Sequence, residues 1–313
     1  MASLITDTTA LANLIEAAYD REVQLAQHSE PFFRQAITTR RAAHQAMPGQ
    51  PVVFSIGSDL PPATTPLVEN QDVDAVQLAA PTRVQVNLAE YGNAAITTIK
   101  LDNLAFVSVD TEKVRQISYN MADSIDLIVR GVLDSTTNKV WVNGGSLTTT
   151  GSDDGVTATD KISSSLIRAI VTRFRTDSVP SPRGTTYPVY IHPDVSADLQ
   201  AEVGPGGWRT PKEYVNAQEL YVGEVGTYLG ATFIETPRCN QVNNASSVAV
   251  YSTYFMGADA VAEASAIEPH VVVGPQTDKL RRFFTLGWYA LMGWGLFRPA
   301  NLWVAHTTSA AAL

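Results

Sequence analysis

Apolar residues at Val114, Ile117, Met121, Ile125, Ile128 and Val132 recur in steps of three and four, the spacing that keeps side chains on one face of an α-helix. Asp110 stands where a capping side chain belongs and Glu112 falls in the first turn, so the pattern predicts a helix from Asp110 to about Leu133. At about 1.5 Å per residue it runs roughly 36 Å, enough to span a domain. Near Leu127 and Val129 the stripe is two-sided, which predicts packing on both faces. Ile162, Leu166, Ile170 and Phe174 follow at four-residue steps after Asp160, predicting a second helix with that aspartate as its cap.

Other stretches alternate with the period of two that belongs to strands. Short strands are predicted at Val52 to Ile56, Tyr187 to Ile191, Ala231 to Thr236 and Ser247 to Met256. Val84, Val86 and Leu88 lie on one face, Glu90-Tyr91-Gly92-Asn93 supplies turn chemistry, and Ile96 to Leu101 resumes the pattern. This predicts one long hairpin, which has to rest on another part of the chain or on another copy because isolated hairpins are marginal in water. From Leu280 to Leu296 the even positions are almost all apolar. The uncharged run from Phe283 to Phe297 is shorter than the roughly 20 residues of a membrane span and holds Gly287, Gly293 and Gly295, so one or two long strands are predicted instead. Asn301 to Ala305 adds a further strand. Towards the start, Leu11, Leu14, Ile15 and Ala18 form one helical piece, and Pro31 separates it from a second around Phe33 to Met47. The proline- and glycine-rich stretch from Pro48 to Pro66 reads as an extended, reaching arm.

With 313 residues and 45% hydrophobic content, the chain can bury a large core, which excludes a disordered or collagen-like protein. Only 17% of residues are charged, against roughly 25% in ordinary soluble domains. Either neutral polar residues cover the surface or partners do. Cys239 is the single cysteine, so no internal disulfide can form. The first residues lack a basic end followed by an apolar core, and folding inside the cell is expected. The net charge of −9 disfavours binding to phosphate backbones or anionic membranes. Its distribution is uneven: residues 51–110 carry two basic and seven acidic side chains, and residues 271–313 carry four and one. That asymmetry suits contacts between copies, or simply a solvated acidic face.

Catalytic chemistry finds little support. His28, His44, His192, His270 and His306 show no metal-ligand spacing. His192-Pro193-Asp194 sits at a strand-to-helix junction, where enzymes often place catalytic groups, but Pro193 and Asp194 equally suit a helix start. Gly204-Pro205-Gly206-Gly207 lacks the Lys-Ser/Thr of a phosphate-binding loop. Arg238 could lower the pKa of Cys239, yet no histidine is near it in sequence. Trp288, Tyr289 and Trp294 could stack bases, and their strand spacing equally suits a core or an interface. No catalytic, cofactor or metal residue is assigned.

The order of elements, together with Glu90-Tyr91-Gly92-Asn93, Tyr190-Ile191-His192-Pro193-Asp194, Gly223-Glu224-Val225-Gly226, Gly230 to Thr236, Gly287-Trp288-Tyr289-Ala290 and Arg298-Pro299, resembles the major capsid proteins of tailed bacteriophages with the Hong Kong phage-type fold. The resemblance implies an α+β chain with an N-terminal arm (1–50), an extended loop (51–109), a peripheral-domain spine helix (110–143), an axial α/β domain (144–275) and return strands of the peripheral domain (276–313). It implies a homo-oligomer of hexamers and pentamers that closes an icosahedral virion shell around double-stranded DNA, assembled in the host cytoplasm. Portal, scaffolding and decoration proteins are further partners it implies, and no membrane. The expected contacts between subunits are Val84, Val86, Leu88, Glu90 and Tyr91 of the hairpin, with Arg281 and Arg282 as the basic patch that receives it. Covalent crosslinking is not expected, because Lys100 is the only lysine between 51 and 108 and lies near the hairpin base. An encapsulin shell shares this fold, and an α/β enzyme centred on His192 is the alternative from another class.

Overall fold

The computed structural model describes residues 32–42, 51–67, 69–70, 72, 75–104, 109–182, 184–201, 224–274, 279–280 and 282–310. The N-terminal helical piece, the glycine loop at 204–207, Gly223, His28, His44 and Arg281 lie outside these residues.

Two sheets and one long helix organise the chain. The first sheet has four strands in the order β1, β12, β13, β4, namely Thr39–Ala42, Val261–Val273, Phe283–Leu296 and Ala89–Thr98. The last three are antiparallel and β1 lies parallel to β12. Pairing between β12 and β13 shifts register around Ile267 and His270. Pro269, which has no N–H to donate, falls within that irregularity. The second sheet runs β6 (Ser146–Thr148), β5 (Lys139–Asn143), β14 (Leu302–Thr307), β11 (Ala249–Met256), β7 (Tyr187–Ile191), β9 (Ala231–Glu235) and β8 (Glu224–Tyr228), with β10 (Gln241–Asn243) beside β11. Strands β2 (Val52–Ile56) and β3 (Thr82–Val86) form a separate antiparallel ribbon.

A short helix α1 (Ile99–Leu104) leads to α2 (Val109–Asp134), the predicted spine. Its buried positions Ile117, Ile125, Val129 and Leu133 fall at multiples of four, and Val114 and Leu127 are exposed. The N-terminal half of α2 packs on Trp288, Ala290 and Met292 of β13. Its C-terminal half joins the core of the second sheet with Tyr190, Tyr254 and Val304. One helix thus supports both sheets. Helix α3 (Ser164–Thr176) buries the predicted stripe Leu166, Ile170 and Phe174 on the opposite face of the second sheet, beside Val195 and Leu199 of α4 (Pro193–Gln200). Its cap is Ser163, whose hydroxyl accepts from the Leu166 N–H. Asp160, the predicted cap, instead accepts from the Thr157 and Gly145 N–H groups and ties two loops together.

Two further expectations change. The stretch from Phe33 is a single 3-10 turn followed by β1, because Thr39 to Ala42 finds a partner in β12 that outweighs local helical spacing. The hairpin predicted across Glu90-Tyr91-Gly92-Asn93 does not form. These residues lie inside β4, which pairs along its whole length with β13, while β3 turns back to β2. Gly92 serves close approach, not a turn: a Cβ there would stand 2.6 Å from the Trp288 carbonyl oxygen. Strand β12 pairs with β13, and β14 lies in the second sheet between β5 and β11.

Candidate assembly surfaces

The candidate contact residues are placed by how the ribbon meets the first sheet. Odd positions of β13 face away from α2, and glycine occupies three of them. Cβ atoms on Gly293 and Gly295 would lie 3.1 and 3.2 Å from Val86, and one on Gly293 would strike the Asn87 carbonyl oxygen at 2.1 Å. The missing side chains let β3 settle on the sheet. Val86 is 1% exposed and shares a core with Val52, Phe54, Ala262 and Ala264; Val84 and Leu88 pack partly against it. The face expected to lie on a neighbour is therefore used within the chain, and Val86 is a core residue. Tyr91 is half-buried beside Trp294, with ring centroids 5.8 Å apart, and Glu90 is exposed on β4. Arg282 precedes β13 with its guanidinium 5.5 Å from the Phe283 ring centre. Its carbonyl accepts from the Ile99 N–H at the end of β4 at 2.9 Å.

What the chain leaves uncovered lies elsewhere. The stretch 57–81, which joins β2 to β3, exposes Leu60, Leu67, Val76 and Leu78 to between 54% and 77%. Its signal in the sequence was six leucine and valine residues and four acidic ones with no basic residue. At the end of the first sheet Ile96, Val273, Leu280 and Phe284 are exposed as well. The other half of the glycine-bearing face, beyond the reach of β3, is a hollow of about 470 Å³ lined by Gly92, Ala94, Val272, Gly274, Thr285 and Gly287.

The arm is held by two buried ionic nodes. The Phe33 ring sits 5.4 Å from Tyr190 and 5.5 Å from Tyr254, and its N–H donates to Asp126 Oδ1 at 2.7 Å. Asp126 Oδ2 accepts from Arg238 Nε at 2.7 Å, and Arg238 also pairs with Asp123. Burial raises the pKa of Asp126 against the opposing pull of Arg238 and the Phe33 N–H. In the second node Glu263 accepts from Arg34 Nη2 and Trp294 Nε1, each at 2.9 Å. Burial opposes ionisation of Glu263, but these donors hold its pKa below the ordinary value. Arg40 Nε lies 3.9 Å from the same carboxylate, and Arg41 donates to the Val53 carbonyl.

The candidates for chemistry are occupied structurally. His192 Nδ1 accepts the Asp194 N–H at 3.2 Å as the cap of α4, and the Asp194 carboxylate accepts from the Tyr251 hydroxyl at 2.8 Å. Burial lowers the His192 pKa, while that of Tyr251 is pushed up to about 12, chiefly by burial. Cys239 is buried, and that burial drives its thiol pKa up, while Arg238 is turned to the aspartates. Trp288 is buried, with Nε1 donating to Asn120 Oδ1 at 2.9 Å. Among the described residues no group of His, Cys, Asp or Glu could hold a metal ion, and no helix is long and apolar enough to cross a membrane.

Comparison with known proteins agrees with this arrangement. The capsid of Ralstonia phage GP4 has a similar structure, with a TM-score of 0.76, 12% identity and 98% of each chain covered. Cyanophage Pam1 capsid matches with a TM-score of 0.67 and 13% identity over 99% of this chain and 100% of the other. A Mycobacterium phage Che8 chain matches at 0.65 and 15% over 95% and 98%. At these identities the likeness is one of fold. None of the curated proteins compared matches in sequence. The family model described as phage capsid protein matches residues 38–298, and with that span added to the arm, spine helix and two-sheet fold, the chain belongs to the phage capsid protein family: it is a major capsid protein, a subunit of an icosahedral bacteriophage shell.

Proposed function

We propose that this capsid protein closes hexamers and pentamers into a shell that confines double-stranded DNA without gripping it. The observation that carries the reading is the surface left by the subunit: an acidic stretch at 57–81 with four exposed aliphatic residues, which a monomer has no means to bury. Contacts repeated around each subunit add up to a stable particle even where each is weak. The wall is passive toward DNA because the chain carries net −9, and Arg34 and Arg40 lie beside Glu263 of the same chain. Each free cation would otherwise add a salt-dependent attraction to phosphate. The protein does no catalysis in this reading. It is assembled in the host cytoplasm, with portal, scaffolding and decoration proteins as its partners. Residues 51–109 form the extended loop, and Arg281 and Arg282 belong to the basic surface that receives the acidic stretch of a neighbour.

Electron microscopy and sizing of the purified protein test this. Closed particles of several hundred Å are expected, with nucleic acid inside those from infected cells. A clean monomer or dimer at high concentration, with all assembly factors present, overturns it. Tight binding of free subunits to duplex DNA at physiological salt overturns the passive wall.

A further inference from the structure

Asn143 and Gly144 form the one Asn-Gly step in the chain; every other asparagine is followed by a residue with a side chain. An asparagine amide is lost most readily before glycine, because the bare next residue does not hinder its own nitrogen from reaching the amide carbon. The fold sets this step at the tip of a hairpin. Asn143 ends β5, pairs with Ser146 of β6 and is exposed, and Gly144 and Gly145 make the two-residue turn at φ +57° and +75°. Apart from its chain neighbours, no atom stands within 4 Å of where a Cβ would lie on Gly144. Water and hydroxide therefore have open access to the turn.

One group opposes the reaction. Asp160 accepts the Gly145 N–H at 2.9 Å, and the Gly144 N–H is held by the same carboxylate. Burial opposes ionisation of Asp160, but the Thr157 and glycine donors hold its pKa below the ordinary value. It is thus an ionised, weak base that engages the Gly144 nitrogen without taking its proton. Its negative charge also disfavours the amide anion that would have to attack. A second acidic turn lies against the same asparagine: a Cβ on Gly155, in the turn Asp153–Gly155, would stand 3.0 Å from Asn143 Nδ2.

We propose that Asn143 is a self-modification site: it deamidates in the folded protein at a pace set by the Asp160 carboxylate, and the acid it leaves loosens the β5–β6 tip. The Gly144 nitrogen gives its proton to hydroxide and bonds to Asn143 Cγ, the Cγ–Nδ2 bond breaks, and ammonia leaves with a proton from water. Water then opens the five-membered ring at either carbonyl, giving aspartate or isoaspartate. No oxidant or cofactor is needed. Either product adds a negative charge between Asp160 and the Asp153–Gly155 turn, where like charges repel. Isoaspartate also lengthens the hairpin backbone by one methylene, which the paired strands have no room to absorb. The shell reading is not required for any of these steps.

The test is peptide mass after ageing. The purified full-length protein, folded and guanidinium-unfolded, is incubated at mildly alkaline pH, and fresh protein digested in parallel sets the background. Trypsin releases Val140 to Lys161, in which Asn143 is the sole amide side chain, so an amide-to-acid mass gain there reports this residue alone; isoaspartyl methyltransferase labelling reports the rearranged product. Acid should accumulate in the folded protein roughly tenfold or more slowly than in the unfolded chain, the factor that about 1.4 kcal/mol represents. No acid in the folded protein once the unfolded chain has converted completely overturns the site, and equal rates overturn the restraint by the turn. Neither comparison needs a variant. Asp160→Asn, which keeps the size and removes the charge, should speed conversion in the folded protein several-fold, and an unchanged rate overturns the part given to Asp160. Asn143→Asp should unfold at a lower temperature than the parent, while Asn143→Gln should show neither the mass gain nor that loss. An unchanged midpoint for Asn143→Asp overturns the loosening.

Discussion

Replacing Arg238 with Met should cost the subunit about 3–5 kcal/mol at neutral pH, the usual penalty for removing one partner of a buried ion pair. Asp126 is 1% exposed and its two oxygens accept from Phe33 N–H and Arg238 Nε. Without the guanidinium the carboxylate keeps only backbone N–H groups as donors, and the unmatched charge lies against the aromatic core that anchors the arm. Against a total stability of about 5–15 kcal/mol for a typical domain, such a loss is large. The deficit should also depend on pH in a defined direction. Burial already raises the Asp126 pKa in the folded state, and loss of Arg238 removes an opposing influence. A carboxylate whose folded pKa lies above its unfolded value destabilises the fold while ionised, and the penalty is relieved as pH falls through the folded pKa. The loss in the variant should therefore be full at pH 7.5 and smaller near pH 5, each unit of relief being worth about 1.4 kcal/mol. Urea unfolding of unassembled subunits, followed by tryptophan fluorescence at both pH values, measures this. The double variant Asp126→Asn with Arg238→Met should recover part of the loss at pH 7.5. A deficit below about 1 kcal/mol, or one of equal size at both pH values, would refute the reasoning.

Gly293→Val should lift the β2–β3 ribbon from the sheet, because even a Cβ there meets the Asn87 carbonyl oxygen at 2.1 Å; hydrogen exchange in β3 should rise, and Gly57→Ala, with open space around it, is the silent control. His306 donates from Nδ1 toward Asp153 at 3.0 Å and stacks on Trp141, while its buried Nε2 has no partner. Burial, with Lys139 adding to it, depresses its pKa against the pull of Asp153, so the fold is stabilised by neutral His306 above pH about 6.5 and loses that stability as pH falls from there toward the folded pKa. His306→Phe should keep the stack and flatten that part of the pH–stability curve between about pH 6.5 and 5, and an unchanged slope counts against the assignment. The Cys239 thiol should react with an aromatic disulfide reagent only on unfolding, and stoichiometric labelling of native particles within minutes would contradict its burial. Boiled, reduced particles should run as a single band near 33.8 kDa, and a persistent ladder would show covalent joining between subunits.

Much of this protein was determined by sequence alone. The helical stripes from Ile117 and from Leu166, the strands at Val52–Ile56 and Tyr187–Ile191, and the long alternating strand ending at Leu296 all appear where local periodicity predicts them. Period reports which face of an element must be buried, and that is a property of neighbouring residues in the chain. The low charged fraction and the short motifs also pointed to a shell subunit. Partner choice was not legible in the same way. Val84 and Val86 need an apolar cover, but their alternation is equally satisfied by a hairpin mate, by another subunit or by β2 and the sheet beneath. The tertiary structure chose the last, because glycine at 293 and 295 removes the side chains that would hold the ribbon away. Glu90-Tyr91-Gly92-Asn93 has the composition of a turn, yet all four residues pair with β13, and the glycine is there because the Trp288 carbonyl lies too close for a Cβ. Arg238 and Asp126 stand 112 positions apart, so no local pattern could join them. Sequence periodicity settles which side of each element avoids water; which surface covers that side depends on contacts between distant residues, and only the folded chain decides them.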